Sequence, residues 1–261
     1  MICLEKVRKN FGENQVLKEI DFELKKGEFT VILGSSGAGK STLLRCINGL
    51  CVPTDGKITI NGMEVNKRNI NKIRKRVGFI FQDINVVGNL NVMQNVLIGR
   101  LGYKSPWNIF FSKEEKDKAE QAIEMVGLID KIHTRVDKLS GGQRQRVGIA
   151  RVLVQNPDII LADEPVASLD PVTGQGIMEL IRKINQEMGT IILCNLHQLE
   201  YAKKYGQRII GISEGKIQFD KNSSDINDND LRTIYGDSFD KSSVKFKDSI
   251  EIKKNRIVCS I

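Results

Sequence analysis

Gly34, Ser35, Ser36, Gly37, Ala38, Gly39, Lys40, Ser41 and Thr42 spell G-S-S-G-A-G-K-S-T, which fits the phosphate-loop pattern G-x-x-x-x-G-K-[ST]. The apolar, β-rich run 29–33 enters this stretch as a strand. Leu43, Leu44 and Ile47 leave it with helical spacing, and Gly49 closes the helix. Strand, glycine-rich loop and helix in that order are the context the pattern requires. Glycines 34, 37 and 39 permit positive φ, so successive backbone N–H groups can converge on a polyphosphate at the positive end of the helix. Lys40 offers a mobile cation to the β and γ phosphates. Ser41 offers a hydroxyl to Mg²⁺, and Thr42 stands one step behind it.

The 261 residues are enough to bury a substantial core, and the +8 formal charge leaves nucleic acid, an anionic membrane face or a polyanionic ligand as partners. Lys/Arg and Asp/Glu balance across residues 220–261, so the whole positive excess lies in 1–219. The densest cluster, Lys72, Arg74, Lys75 and Arg76, reads as a solvated rim. No apolar run approaches the ~20 residues of a membrane-spanning helix, and Glu5, Lys6, Arg8 and Lys9 interrupt any secretory signal, so a cytosolic location is expected. Five cysteines (Cys3, Cys46, Cys51, Cys194, Cys259) without C-x-x-C spacing argue against disulfides and zinc.

Two short β segments are expected within 2–24, with Phe11 and Gly12 between them. Phe11 is either a base-stacking platform or a core residue of a hairpin. Pro53, Thr54, Asp55 and Gly56 mark a turn, 57–60 alternates into the Asn61-Gly62 hairpin signal, and 77–81 forms a strand that stops at Gln82. A helix is expected over 91–100 and an amphipathic one over 113–126, with Ala119, Ala122, Ile123 and Val126 inward. Between them Trp107, Ile109, Phe110 and Phe111 read as core or as a docking surface.

Leu139-Ser140-Gly141-Gly142-Gln143 opens a helix reaching about 155, with Ser140 as N-cap, and gives the chain a second anion-binding helix start. Residues 159–162 form a fully apolar strand ending in Asp163 and Glu164, as a buried parallel strand does when ligands gather at its carboxyl end. Burying both carboxylates without a cation costs several kcal/mol. Asp163 suits Mg²⁺ through water, and Glu164 is placed to take a proton from an attacking water. Asp170 starts the helix 172–188, and the strand 190–195 delivers His197 to the same sheet edge. His133 reads as surface. Strands at 208–212 and 216–219 close the sheet, followed by a weak helix at 230–235 and a strand at 244–252.

GSSGAGKST, Gln82, LSGGQ at 139–143, IILADE at 159–164, SLD at 168–170 and His197, in this order, resemble the ATPase subunit of ABC transporters. The resemblance implies an α/β fold: a P-loop NTPase (RecA-like) core, an N-terminal antiparallel β subdomain and an inserted helical subdomain at about 85–155. It implies a nucleotide-binding domain over 1–240, with 241–261 a tail of no assigned role. It also implies ATP and Mg²⁺ as ligands. Ser41, Gln82 and Asp163 would serve the metal, Glu164 as general base, His197 as γ-phosphate sensor, and Phe11, 34–42, Ser140, Gly141, Gly142, Gln143 and Asp170 the nucleotide. Phe11 replaces the tyrosine usual at the stacking position. The signature at Ser140 and Gly142 is expected to cap ATP held by a second copy.

LLRCING at 43–49, GRLG at 99–102 with Trp107, EPVASLDP at 164–171, NLHQ at 195–198 and LRTIYG at 231–236 look more narrowly like the ATP-binding subunits of bacterial phosphonate importers. Expected partners are permease subunits and, through them, a solute-binding protein, with the chain peripheral to the cytoplasmic face of the bacterial membrane and no nucleic acid bound. The rivals are the ATPase of another importer (phosphate, polar amino acid), a DNA-repair type ABC ATPase and a lone nucleotide switch. The interval from Thr42 to Leu139 lacks the sustained heptads of the DNA-repair type.

Overall fold

In a computed structural model, residues 1–105 and 110–236 are described. Trp107, Ile109, Cys259, the strand expected at 244–252 and the tail 241–261 lie outside them. The elements in chain order are β1 (Ile2–Phe11), β2 (Asn14–Leu24), β3 (Phe29–Leu33), α1 (Lys40–Ile47), β4 (Asp55–Ile60), β5 (Met63–Glu64), α2 (Ile70–Arg74), β6 (Val77–Ile80), α3 (Val92–Leu97), α4 (Lys113–Met125), α5 (Gly141–Leu153), β7 (Ile159–Asp163), α6 (Pro171–Met188), β8 (Ile191–Asn195), α7 (Leu199–Tyr205), β9 (Arg208–Ser213), β10 (Lys216–Asn222) and α8 (Asp228–Tyr235).

Six strands form one sheet in the order β10-β9-β3-β8-β7-β6, all parallel except β10, which returns antiparallel along β9. β3, β6, β7 and β8 are buried along their whole length, which explains why their sequences are continuous apolar runs rather than alternating ones. A second, antiparallel sheet, β2-β1-β4-β5, packs over α1 and shares its core with Leu43, Leu44 and Ile47. On the opposite face, α3, α4 and α5 pack on one another, with Val96, Ala119, Ile123, Val126, Val147 and Ala150 fully or almost fully buried. The expected core, β subdomain and helical region are therefore present.

Several expectations change in detail. The two β segments in 2–24 are long rather than short, spanning 10 and 11 residues. Phe11 is no core residue: it ends β1 with 53% of its surface exposed and the Lys9 ammonium 4.8 Å from its ring centroid. The helix expected over 91–100 is α-helical only to Leu97 and tightens into a 3₁₀ segment, Ile98–Tyr103. That segment contains Gly99, which a Cβ would bring to 2.3 Å from the Arg151 carbonyl oxygen, and Gly102, both weak helix formers. Phe110 is exposed while Phe111 packs against the core, so the aromatic run divides between the two readings. Helices α2 and α7 were not expected. The final helix begins earlier than expected because Asn227 and Asp230 form a reciprocal capping box. His133 is exposed, and the four described cysteines are free thiols.

Candidate functional site

The carboxyl ends of β3, β6, β7 and β8 bring the site together, because parallel strands all end at one sheet edge. β3 runs into the glycine loop and α1. Gly39 precedes α1 with φ +101°, and no side chain caps the helix. A Cβ there would lie 2.9 Å from the Val16 carbonyl oxygen and from Leu17, so only glycine fits between the loop and β2. The tip of the β1–β2 hairpin, which carries Phe11, thus belongs to the strand pair that abuts the loop. Ser35, Ser36 and Gly37 are exposed, Ala38 and Lys40 are buried, and Ser41 and Thr42 are half-buried.

Lys40 Nζ donates to the carbonyls of Gly34 (2.7 Å) and Ser35 (2.9 Å), folding back over its own loop. Burial pushes its ammonium below the usual lysine range, and Glu164 and Asp163 pull the other way. Ser41 Oγ donates to Asp163 Oδ1 at 2.8 Å, joining α1 to the end of β7. Beside it, His197 Nε2 lies 2.6 Å from Glu164 Oε1. Glu164 sits at φ +49°, a left-handed conformation that costs a non-glycine residue energy and turns the chain sharply off the strand. Ile80 pairs with Ala162, so exposed Gln82 leaves β6 level with Glu164. Ser41, Asp163, Glu164 and His197 are directly joined in pairs, and the register sets Gln82 at the same edge.

Ser140, Gly141, Gly142 and Gln143 stand apart. Among the described residues no hydrogen bond joins them to 34–42. Ser140 N-caps α5: its hydroxyl accepts from the Gln143 N–H at 3.3 Å while the Gln143 amide oxygen accepts from the Ser140 N–H at 3.0 Å. Gly142 is needed for packing, since a Cβ would meet Thr173 Cγ2 at 2.3 Å. Asp170 caps α6, accepting from the N–H groups of Val172 and Thr173 at 3.1 and 3.0 Å. The Thr173 side chain first, and then these backbone N–H bonds, hold its carboxyl below the usual carboxylate range.

Two residues that sequence reasoning missed tie this site together. Asn195 Nδ2 donates to Asp163 Oδ1 at 2.7 Å, and Gln145, buried in α5, donates to the Pro165 carbonyl at 2.9 Å. A polar residue closing the apolar run 191–194 was the available signal for Asn195. Gln145 gave none, because its partner is set by tertiary packing. The donors near Ser41 are all oxygen, and no group of three or more His, Cys, Asp or Glu converges on a metal among the described residues. That donor set fits a hard cation held by one hydroxyl, one carboxylate, water and phosphate, as Mg²⁺ is usually held.

Residues 17–167 match the family model described as ABC transporter. The chain is 48% identical over 239 residues to the phosphonates import ATP-binding protein PhnC of Thiobacillus denitrificans, covering 90% of this chain and 92% of the relative. It is 50% identical over 226 residues to the protein of the same name from Staphylococcus aureus, covering 84% and 88%. Among solved structures it is similar to the dimeric post-hydrolysis state of the ATP-binding cassette MJ0796 bound to ADP and Pi, with TM-score 0.74, 35% identity, and coverage of 85% and 99%. With half the chain inside that family model, and half its residues shared with relatives along most of their length, the chain belongs to the ABC transporter ATPase family.

Proposed function

We propose that this chain binds and hydrolyses ATP to drive import of phosphonate, or a related phosphorus oxyanion, through a membrane permease. The observation that carries the reading is the Ser41–Asp163 bond under an uncapped phosphate-loop helix, with the Glu164–His197 pair alongside. The solute class rests on relatives 48–50% identical that carry the phosphonate-import name. Residues 1–240 act as one nucleotide-binding domain with its helical subdomain at about 85–155.

Two copies sandwich two ATP molecules, each nucleotide held by 34–42 of one copy and capped by Ser140–Gln143 of the other. The dimeric cassette among the structural neighbours supports this arrangement. Lys40 exchanges its two loop carbonyls for β and γ phosphate oxygens. Mg²⁺, held by Ser41 and Asp163 and contacted by Gln82, supplies charge neutralisation at those oxygens when bound. Glu164 accepts a proton from the attacking water. That requires His197 to swing its Nε2–H from Glu164 to the γ-phosphate, so substrate frees the base. Phe11, exposed at the hairpin tip, stacks on adenine. Asp170 holds the start of α6 near the partner's nucleotide.

The importer name of the relatives supports a separate permease partner, with the chain working peripherally at the cytoplasmic face; among the described residues no helix is long and apolar enough to cross a membrane. A cleft of about 580 Å³ between core and helical region, lined by Phe79, Phe81 and Ile98 together with Arg74, Lys75 and Arg151, offers that partner a mixed apolar and basic seat. The test is uptake of a labelled phosphonate in cells with and without this chain. Loss of phosphonate uptake with other solutes unaffected is expected; unimpaired phosphonate uptake overturns the reading.

A further inference from the structure

Asn195 closes β8, the central strand between β3 and β7, and is paired with Ile32 on one side and Asp163 on the other. Its side chain lies on the α1 face of the sheet, since Leu193 and Ile191, two and four residues earlier, belong to the core that holds α1. Every other residue of β8 is apolar or cysteine. Asn195 is fully buried and makes two contacts at the site. Its Nδ2 donates to Asp163 Oδ1, the oxygen that also accepts from Ser41. Its backbone carbonyl accepts the N–H of Glu164 at 3.1 Å, at the residue whose φ is +49°. Its Oδ1, buried, has no hydrogen-bond partner among the described residues.

The amide cannot be turned round, because that would set an oxygen lone pair against the carboxylate. With two donors on Oδ1, Asp163 cannot rotate about χ2 without breaking both bonds. An apolar residue would spare the fold a buried acceptor without a partner, so the asparagine's contribution lies in what it does to Asp163.

We infer that Asn195 is a positioning residue for the metal-binding carboxylate: it fixes Asp163 in the orientation that metal-dependent nucleotide binding uses, while its backbone sets the turn that aims Glu164. This deepens the proposed function and rests on it. The backbone contact survives any substitution, so side-chain variants isolate the Asp163 arm.

The experiment is equilibrium binding of ADP to the full chain with Mg²⁺ and, separately, with EDTA, for wild type, the near-isosteric Asn195→Leu, and Asn195→Thr, which keeps a donor. Wild type is expected to bind more tightly with Mg²⁺. Asn195→Leu is expected to lose about tenfold of affinity in Mg²⁺ and none in EDTA, with Asn195→Thr recovering part of the loss. Equal losses in both media, or no loss in either, overturn the inference. If Asn195→Leu does not fold, Asn195→Thr carries the test, and unchanged or medium-independent affinity in that variant overturns it. Wild-type protein that binds no ADP at all breaks the proposed function instead, so the two failures are distinct.

Discussion

The molecule has two glycine-flanked helix starts that suit an anion, and they are built oppositely. At α1 no side chain caps the helix: Gly39 precedes it in a left-handed conformation and the first N–H groups have no side-chain acceptor. At α5 Ser140 and Gln143 satisfy one another in a closed capping box. The first start is preorganised for a phosphate. The second is partly satisfied from within, its Gln143 N–H already held by Ser140, so that only the Gly141 and Gly142 N–H groups are left for an external ligand. A monomer should therefore take nucleotide at α1 alone, with α5 recruited only when a second copy supplies the phosphate.

Substitutions at the two starts should separate cleanly. The largest effect belongs to Lys40→Ala, which removes two prospective charge-assisted bonds to phosphate; nucleotide affinity should fall by about a hundredfold in a fluorescent-ATP titration. Unchanged affinity would erase the distinction between the two helix starts. Gly142→Ala should leave monomer nucleotide affinity alone but drive a methyl into Thr173, destabilising the fold by about 1–3 kcal/mol in urea unfolding. Ser140→Ala should cost about 1 kcal/mol through the lost cap and impair hydrolysis without touching nucleotide binding by the monomer. A monomer-binding defect there would place α5 beside its own loop.

The smallest effect is a pH dependence. The folded carboxyl of Asp170 lies below its unfolded value of about 3.9, so its stabilisation is fully present above that pH and is lost as pH falls through the folded value. Asp170→Asn keeps a cap but does not titrate. Its unfolding midpoint should fall less steeply than wild type's as the pH drops below about 4; parallel curves would count against the bond to Thr173.

How much of this was legible in the sequence follows the range of the interactions. The phosphate loop, the Ser140 cap and the strand-end position of Asp163 and Glu164 are local features, and each sits where its neighbours in sequence put it. The pairing of Asp163 with Asn195 depends on the register of two strands separated by α6, and the Gln145 bond to Pro165 on the docking of α5 beneath the turn. Asn195 shows in the sequence only as a polar residue ending an apolar run, with its partner hidden, and the Gln145 bond has no local signature at all. In sequence Gly142 is part of an anion-binding helix start, whereas its contact with Thr173 makes it a packing residue too, visible only once α5 and α6 are set side by side. Phe11 was ambiguous because a hairpin tip and a hairpin core share one alternation pattern.

The most direct measurement is the molar mass of the Glu164→Gln protein in solution, with and without ATP and magnesium, by sedimentation velocity. Removing the base while leaving both helix starts intact should halt turnover and hold the closed state. A doubling of mass on adding ATP, abolished by Ser140→Arg, is the expected result. A protein that binds ATP yet stays at the mass of one chain at every concentration tested would contradict the claim that the two unlike helix starts close on a nucleotide from opposite copies.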